Sequence, residues 1–145
     1  MDENCERLLL GEILMKRNRI TKGQMEHALA VQKKEKGFIG EILVKLGYVE
    51  ERDIVVALVV QCGLPYIAVG KYTIDPAIVK MIPKETAQQE RMIPLDRIGD
   101  ILSVVMTNPL SPDKRSEIES RTGCRVAVFI ATKSEIEEAI ARNYN

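Results

Sequence analysis

Two stretches in the first half of this chain are near copies of one another, and a duplicated unit restricts the fold more than composition does. Leu9-Leu10-Gly11-Glu12-Ile13-Leu14-Met15 returns as Phe38-Ile39-Gly40-Glu41-Ile42-Leu43-Val44, which puts Gly11 and Gly40 29 positions apart. The echo continues through Lys16/Lys45, Ile20/Val49, Met25/Ile54, Ala28/Ala57, Leu29/Leu58, Val31/Val60 and Gln32/Gln61. Repetition at a period of ~20–50 residues marks a duplicated supersecondary unit. Apolar helix faces recur in most globular proteins. Paired Gly-Glu and Ala-Leu-x-x-Gln do not follow from amphipathicity alone, so the repeat is the part of the chain that points to function.

Hydrophobic periodicity reads the first half as helices. Leu10, Ile13, Leu14 and Arg17 share helical spacing, and Asn18-Arg19 breaks the run. Thr21-Lys22-Gly23-Gln24 has the form of a capping box that opens a second helix bearing Met25, Ala28, Leu29 and Gln32 on one face. Lys36-Gly37 ends it. Ile39, Ile42, Leu43 and Leu46 make a third helix closed by Gly47, and Glu50-Glu51 starts a fourth that buries Ile54, Ala57 and Leu58. Each copy is thus a short helix, a turn and a longer helix, and two copies would pack as a pseudo-symmetric bundle.

Gly63-Leu64-Pro65-Tyr66 stops the helical region, and Ile67-Ala68-Val69 reads as a short strand leading into a connector. Asp75-Pro76 and Pro83-Lys84-Glu85 each open a short helix, with proline in the first turn. Residues 91–98 and 101–106 flank Gly99-Asp100, a two-residue connection suited to a β-hairpin. Asn108-Pro109 marks a turn, and Ser111-Pro112 supplies the cap and first-turn proline of a helix reaching about Arg121. Residues 124–130 form a third strand, and Thr132-Lys133-Ser134-Glu135 is a capping box for a last helix with Ile136, Ala139 and Ile140. The expected fold class is α+β. A helical subdomain (1–62) with two repeated motifs and a linker (63–73) precede a small three-stranded β-β-α-β-α subdomain (74–145), with its strand–helix–strand step parallel.

Bulk properties exclude several function classes. The chain has 145 residues, 46% apolar and 29% charged, with 21 basic and 21 acidic side chains. A net charge of zero argues against a broad nucleic-acid surface, which carries a basic excess. The acidic start at Asp2, Glu3 and Glu6 does not resemble a signal peptide, and no apolar run nears the ~20 residues of a membrane span. Cys5, Cys62 and Cys124 are odd in number and widely spaced, which predicts reduced thiols in a cytoplasmic protein.

Catalytic chemistry is not apparent. There is no G-x-x-x-x-G-K-[ST] phosphate loop and no serine or cysteine in a nucleophile motif, so this stretch is read as non-enzymatic. His27, the one histidine, has no ligand or catalytic partner in the sequence and reads as solvated or capping. Glu50-Glu51 and Glu137-Glu138 are adjacent, so they leave a helix in different directions and read as solvated helix ends. No metal site and no resident cofactor are expected. Gly11 and Gly40, early in short helices, leave two roles open: close approach of a flat ligand, or tight helix packing with Gln32 and Gln61 capping helix ends.

The two motifs resemble those of the N-terminal domain of type II secretion and type IV pilus assembly ATPases, the MshE-type family. That pattern runs Arg-Leu-Gly-x-x-Leu-Val-x-x-Gly, followed by a spaced Leu-x-x-x-Leu-x-x-Gln. The first copy supplies Leu10-Gly11, Leu14-Met15, Met25, Leu29 and Gln32; the second supplies Ile39-Gly40, Leu43-Val44, Gly47, Ile54, Leu58 and Gln61. Later segments resemble the family as well: residues 63–66, Ile82-Pro83, residues 92–95 and 106–109, Thr122-Gly123 and residues 140–144.

The resemblance implies a regulatory and docking domain. Its partner would be the cytoplasmic domain of a membrane-anchored secretion or pilus platform protein, with no nucleic acid and no direct membrane insertion. An ATPase core is expected in the same polypeptide if the chain is a fragment. A second implication is cyclic di-GMP sensing, with one half of the ligand on each motif. The implied contacts are Leu10, Gly11, Leu14, Met25, Leu29, Gln32, Phe38, Ile39, Gly40, Leu43, Ile54, Leu58 and Gln61. The chain departs from the pattern where the motif arginines would stand, at Leu9 and Phe38, and at Asn18 in place of a glycine. Leu and Phe cannot replace charge-assisted hydrogen bonds worth ~1.5–3 kcal/mol each, although Phe38 could stack on a base. A third implication is a regulatory domain joined to another signalling protein.

Overall fold

The computed structural model describes residues 10–107 and 112–144, and the side chains of Gln61 and Pro112 are outside that description. The chain divides into two compact units, Met1–Gly63 and Leu64–Asn145. Leu9, Asn108, Pro109 and Ser111, on which expectations rested, lie outside the described residues.

Among the described residues the first unit holds four helices: α1 (Leu10–Lys16), α2 (Lys22–Glu35), α3 (Ile39–Lys45) and α4 (Glu51–Cys62). The duplication is written into the backbone at the same offset. After α1, Asn18 N–H bonds Met15 O and Arg19 N–H bonds Leu14 O; after α3, Gly47 N–H bonds Val44 O and Tyr48 N–H bonds Leu43 O. Both turns pass through the left-handed region, at φ 61° for Asn18 and 79° for Gly47. Asparagine tolerates that conformation better than most residues, so Asn18 preserves the turn that glycine makes in the second copy.

Helix starts repeat too. Thr21 and Gln24 form a reciprocal capping box at α2, and Glu50 and Asp53 form the equivalent box at α4. Glu50 is therefore more than a charge near a helix end: its carboxylate accepts from a backbone N–H of the first turn. Helix contacts follow the duplication as well. The short helix of each copy packs on the long helix of the other, α1 on α4 and α3 on α2, while α1 and α3 touch each other. Exchanging the copies maps these three pairings onto themselves, while α1 rests on α2 as well. Leu14, Leu43, Leu58, Ala28 and Ala57 form the unit's buried centre.

The second unit contains a 3₁₀ turn (Val69–Lys71), α5 (Pro76–Val79), α6 (Lys84–Glu90), β1 (Met92–Ile98), β2 (Ile101–Met106), α7 (Pro112–Thr122), β3 (Arg125–Ile130) and α8 (Lys133–Asn143). The α+β class and the β-β-α-β-α order are as read from the sequence. The sheet order is β1-β2-β3, antiparallel between β1 and β2 and parallel between β2 and β3. Helices α5, α6 and α8 pack on β1, α8 also on β2, and α7 on β3. Met92, Ile93, Leu102, Val104, Val105, Met106, Ile130 and Ile136 are fully buried and make the core.

Three expectations need correction. Residues 64–73 are not a linker: Pro65 O accepts from Ile130 N–H, Ile67 N–H donates to Ile130 O, and Val69 is fully buried. Residues 67–69 do not form a strand either, because pairing stops at one bridge between Tyr66 and Ile130 and the chain turns into the 3₁₀ helix. Finally, Cys62 is disulfide-bonded, so among the described cysteines only Cys124 is a free thiol, and it is buried. Wide spacing in sequence does not prevent pairing in a fold.

Both sheet edges are blunted. Along β3, Val126 N–H donates to Glu119 (2.9 Å) and Val126 O accepts from Arg115 (2.6 Å), so two side chains of α7 take the place of a neighbouring strand. Residues 65–67 cover its far end. The β1 edge carries Pro94 at an irregularity in register between Pro94 and Asp96.

Candidate functional site

The paired motif lies in the first unit, and its glycines fall early in α1 and α3. Both are buried. A Cβ built on Gly11 would run into Sδ and Cε of Met25, so the missing side chain leaves room for that thioether against α1. Gly11 thus has a packing role, in which the other partner is a flexible thioether.

The remaining motif residues divide by depth. Leu14, Leu43 and Leu58 are at most 1% exposed, and Leu10, Met25 and Ile54 are buried with them. Their apolar surface is spent on the core of the unit. Leu29, Gln32, Phe38 and Ile39 are half-buried and form the surface that the motif offers. Gln32 Nε2 donates to Gly37 O (2.8 Å), tying the end of α2 to the turn before Phe38. Phe38 occupies the N-cap of α3, where its side chain makes no capping hydrogen bond. Leu9 and the Gln61 side chain lie outside the described residues.

The polar surroundings are mostly satisfied. His27 Nδ1 is hydrogen-bonded to the Tyr48 hydroxyl, a partner the sequence reading did not foresee. Lys45 pairs with Glu35 at 2.9 Å and Arg19 approaches Asp53 at 3.9 Å. Such exposed pairs contribute little to stability. Arg17, at the end of α1, has its Nε buried with no hydrogen-bond partner among the described residues. Among those residues no group of three or more His, Cys, Asp or Glu side chains is placed to hold a metal ion.

Comparison with known proteins decides the family. Residues 62–145, more than half of the chain, match the MshEN domain. The chain belongs to the MshEN domain family. It is 34% identical over 135 residues to the type IV pilus assembly ATPase PilB of Myxococcus xanthus, and 29% identical over 137 residues to PilB of Thermus thermophilus. Each alignment takes in 93% of the chain but only 24% and 15% of those relatives, so the chain spans a quarter or less of their length.

Among solved structures, MshE with cdg is similar with a TM-score of 0.72 and 25% identity, over 93% of this chain and 98% of that one. The N-terminal domain of XpsE matches with a TM-score of 0.80 over the whole of both chains; at 20% identity that likeness speaks for the fold. The family named from the sequence is therefore shown, through a match that begins at residue 62, after the paired motifs, and through relatives that are PilB ATPases. No helix among the described residues is long and apolar enough to cross a membrane.

Proposed function

We propose that this MshEN domain is the non-catalytic N-terminal docking and regulatory domain of a type II secretion or type IV pilus assembly ATPase. It binds the cytoplasmic domain of a membrane-anchored platform protein and passes that protein's state to the ATPase core. The observation that carries this reading is the pair of coverages: 93% of the chain aligns with PilB, yet it accounts for 24% of the Myxococcus protein. The remainder of such a protein has room for the ATPase core. The absence of a phosphate loop from the sequence favours a role other than hydrolysis.

The test is binding and turnover measured side by side. The purified domain should bind the cytoplasmic domain of the platform protein encoded beside it and should not hydrolyse ATP. Hydrolysis by the domain alone, or no binding to the platform protein, would sink the proposal.

A second reading, cyclic di-GMP sensing, is favoured by two observations. The two copies match down to their caps and left-handed turns, giving a two-fold arrangement like that of the ligand, and MshE with cdg is a structural relative at 25% identity. Phe38 weighs against it, because an aromatic ring can stack on a base but cannot form a bidentate hydrogen bond to it. Calorimetry with cyclic di-GMP separates the two readings. Saturable heat in the low micromolar range would favour the sensor, and none at high micromolar ligand would remove it.

A further inference from the structure

The second unit has a surface feature that the family motifs do not cover. Two adjoining clefts, of about 520 and about 530 Å³, lie among α5, α6 and α8, and Lys84 and Tyr144 line both. Val79, Ile82 and Tyr144 give the first cleft an apolar floor, and Lys80, Lys84 and Arg142 stand around it. The floor is fixed in place. The Tyr144 hydroxyl donates to Ile82 O (2.8 Å) and lies 3.1 Å from Val79 O, which stitches the end of α8 to the chain between α5 and α6. Burial pushes the Tyr144 phenol up to about 12, so it remains a neutral donor throughout the physiological range.

The charges are the unusual part. Acids and bases balance over the whole chain, and most of the described lysines and arginines of α7 and β3 have a carboxylate within reach. Lys80, Lys84 and Arg142 are exposed and have no ion-pair partner among the described residues. The adjoining cleft adds Arg91, and its one acid, Glu137, is 3.6 Å from Lys133. Lys84 also opens α6, where a helix dipole disfavours a cation. Lys80, Lys84 and Arg142, gathered around an apolar trough with no ion-pair partner among the described residues, gain no ion-pair stabilisation there. They create a positive potential that an anionic partner would fill.

We propose that the trough between α5, α6 and α8, floored by Val79, Ile82 and Tyr144 and rimmed by Lys80, Lys84 and Arg142, docks an acidic segment of a partner protein. The inference rests on the docking reading above and names its surface and the chemistry of its partner. Concavity favours a peptide segment over a lipid surface, since a trough can enclose an apolar side chain while its rim pairs with carboxylates.

The test begins with selection of random dodecapeptides displayed on phage against the intact chain. Winning peptides should carry at least two Asp or Glu residues beside an apolar one. As synthetic peptides they should bind Lys84→Glu/Arg142→Glu at least about tenfold more weakly than the native chain, and should weaken as salt rises. Circular dichroism checks that the variant folds; if it does not, Lys84→Gln/Arg142→Gln takes its place, with a smaller loss expected. Three results would overturn the proposal. They are winners without acidic bias, winners that bind the variant equally well, and phosphatidylglycerol vesicles that sediment the native chain but not the variant. If the platform protein's cytoplasmic domain binds native and variant chains alike, the trough is wrong and the docking reading stands. If it binds neither chain, both fail.

Discussion

The two units keep their most informative residues in different places. In the first, the copies agree where the backbone must be told what to do. Asn18 and Gly47 make the same left-handed turn, Thr21/Gln24 and Glu50/Asp53 make the same cap, and Leu14 and Leu43 occupy equivalent buried positions. The copies part from the ligand-binding pattern on the outside, at Phe38. The second unit carries most of the family match and a cluster of three cations, Lys80, Lys84 and Arg142, with no ion-pair partner among the described residues. A duplicated scaffold can thus be read as ancestry, whereas unpaired charge on a rigid surface reads as present use. That contrast is the reason for assigning docking to the domain and its surface to the second unit.

The largest effects should come from the equivalent core leucines. Leu14→Ala and Leu43→Ala should each cost about 2–5 kcal/mol in urea unfolding. Similar losses would confirm the equivalence of the copies, and a difference of more than about 3 kcal/mol, beyond the usual spread, would break it. Turns come next. Gly47→Ala should cost about 1–2 kcal/mol because alanine is strained at φ 79°, while Asn18→Gly should stay within about 0.5 kcal/mol. If Asn18→Gly destabilised strongly, the asparagine would be making a contact that the turn alone does not require.

Caps give a smaller contrast. Thr21→Ala should cost about 1 kcal/mol. Glu50→Ala should cost a similar amount that shrinks as salt screens its charge, a dependence Thr21→Ala should lack. Thermal melts at low and high salt would separate them.

In the second unit, Tyr144→Phe should cost about 1 kcal/mol through loss of the hydroxyl bond. The tyrosine also sets a pH dependence. Its folded value is raised from 10.0 to about 12, so its contribution is full below pH 10 and is lost as pH climbs through 12. Melting curves across that window should fall more steeply for the native chain than for Tyr144→Phe. Parallel curves would mean that the phenol is not desolvated.

Much of this fold was legible because its signals are local. Thr21/Gln24 and Thr132/Glu135 declare helix starts within four residues, and Gly99-Asp100 declares a hairpin. The box at Glu50 and Asp53 was less plain, since glutamate is a less usual N-cap; the offset from Thr21 and Gln24 was the signal that would have found it. Residues 64–73 were misread because their partner, Ile130, is distant in sequence. No local pattern says that Tyr66 and Ile67 will border β3. The trough was invisible for a similar reason. Lys80, Lys84 and Arg142 are ordinary surface residues in sequence, and only the fold shows that they surround one floor with no ion-pair partner among the described residues. The motif contacts Leu14, Leu43 and Leu58 read equally well as core or as ligand cradle, and burial alone reveals how their surface is used.

The central claim, docking in place of ligand sensing, is tested most directly by one calorimetric titration. The intact chain is titrated with the cytoplasmic domain of its membrane-anchored platform protein, with and without saturating cyclic di-GMP. The account predicts saturable binding whose affinity is the same in both cells of the comparison. No binding to the platform protein, together with saturable heat from cyclic di-GMP itself, would contradict it.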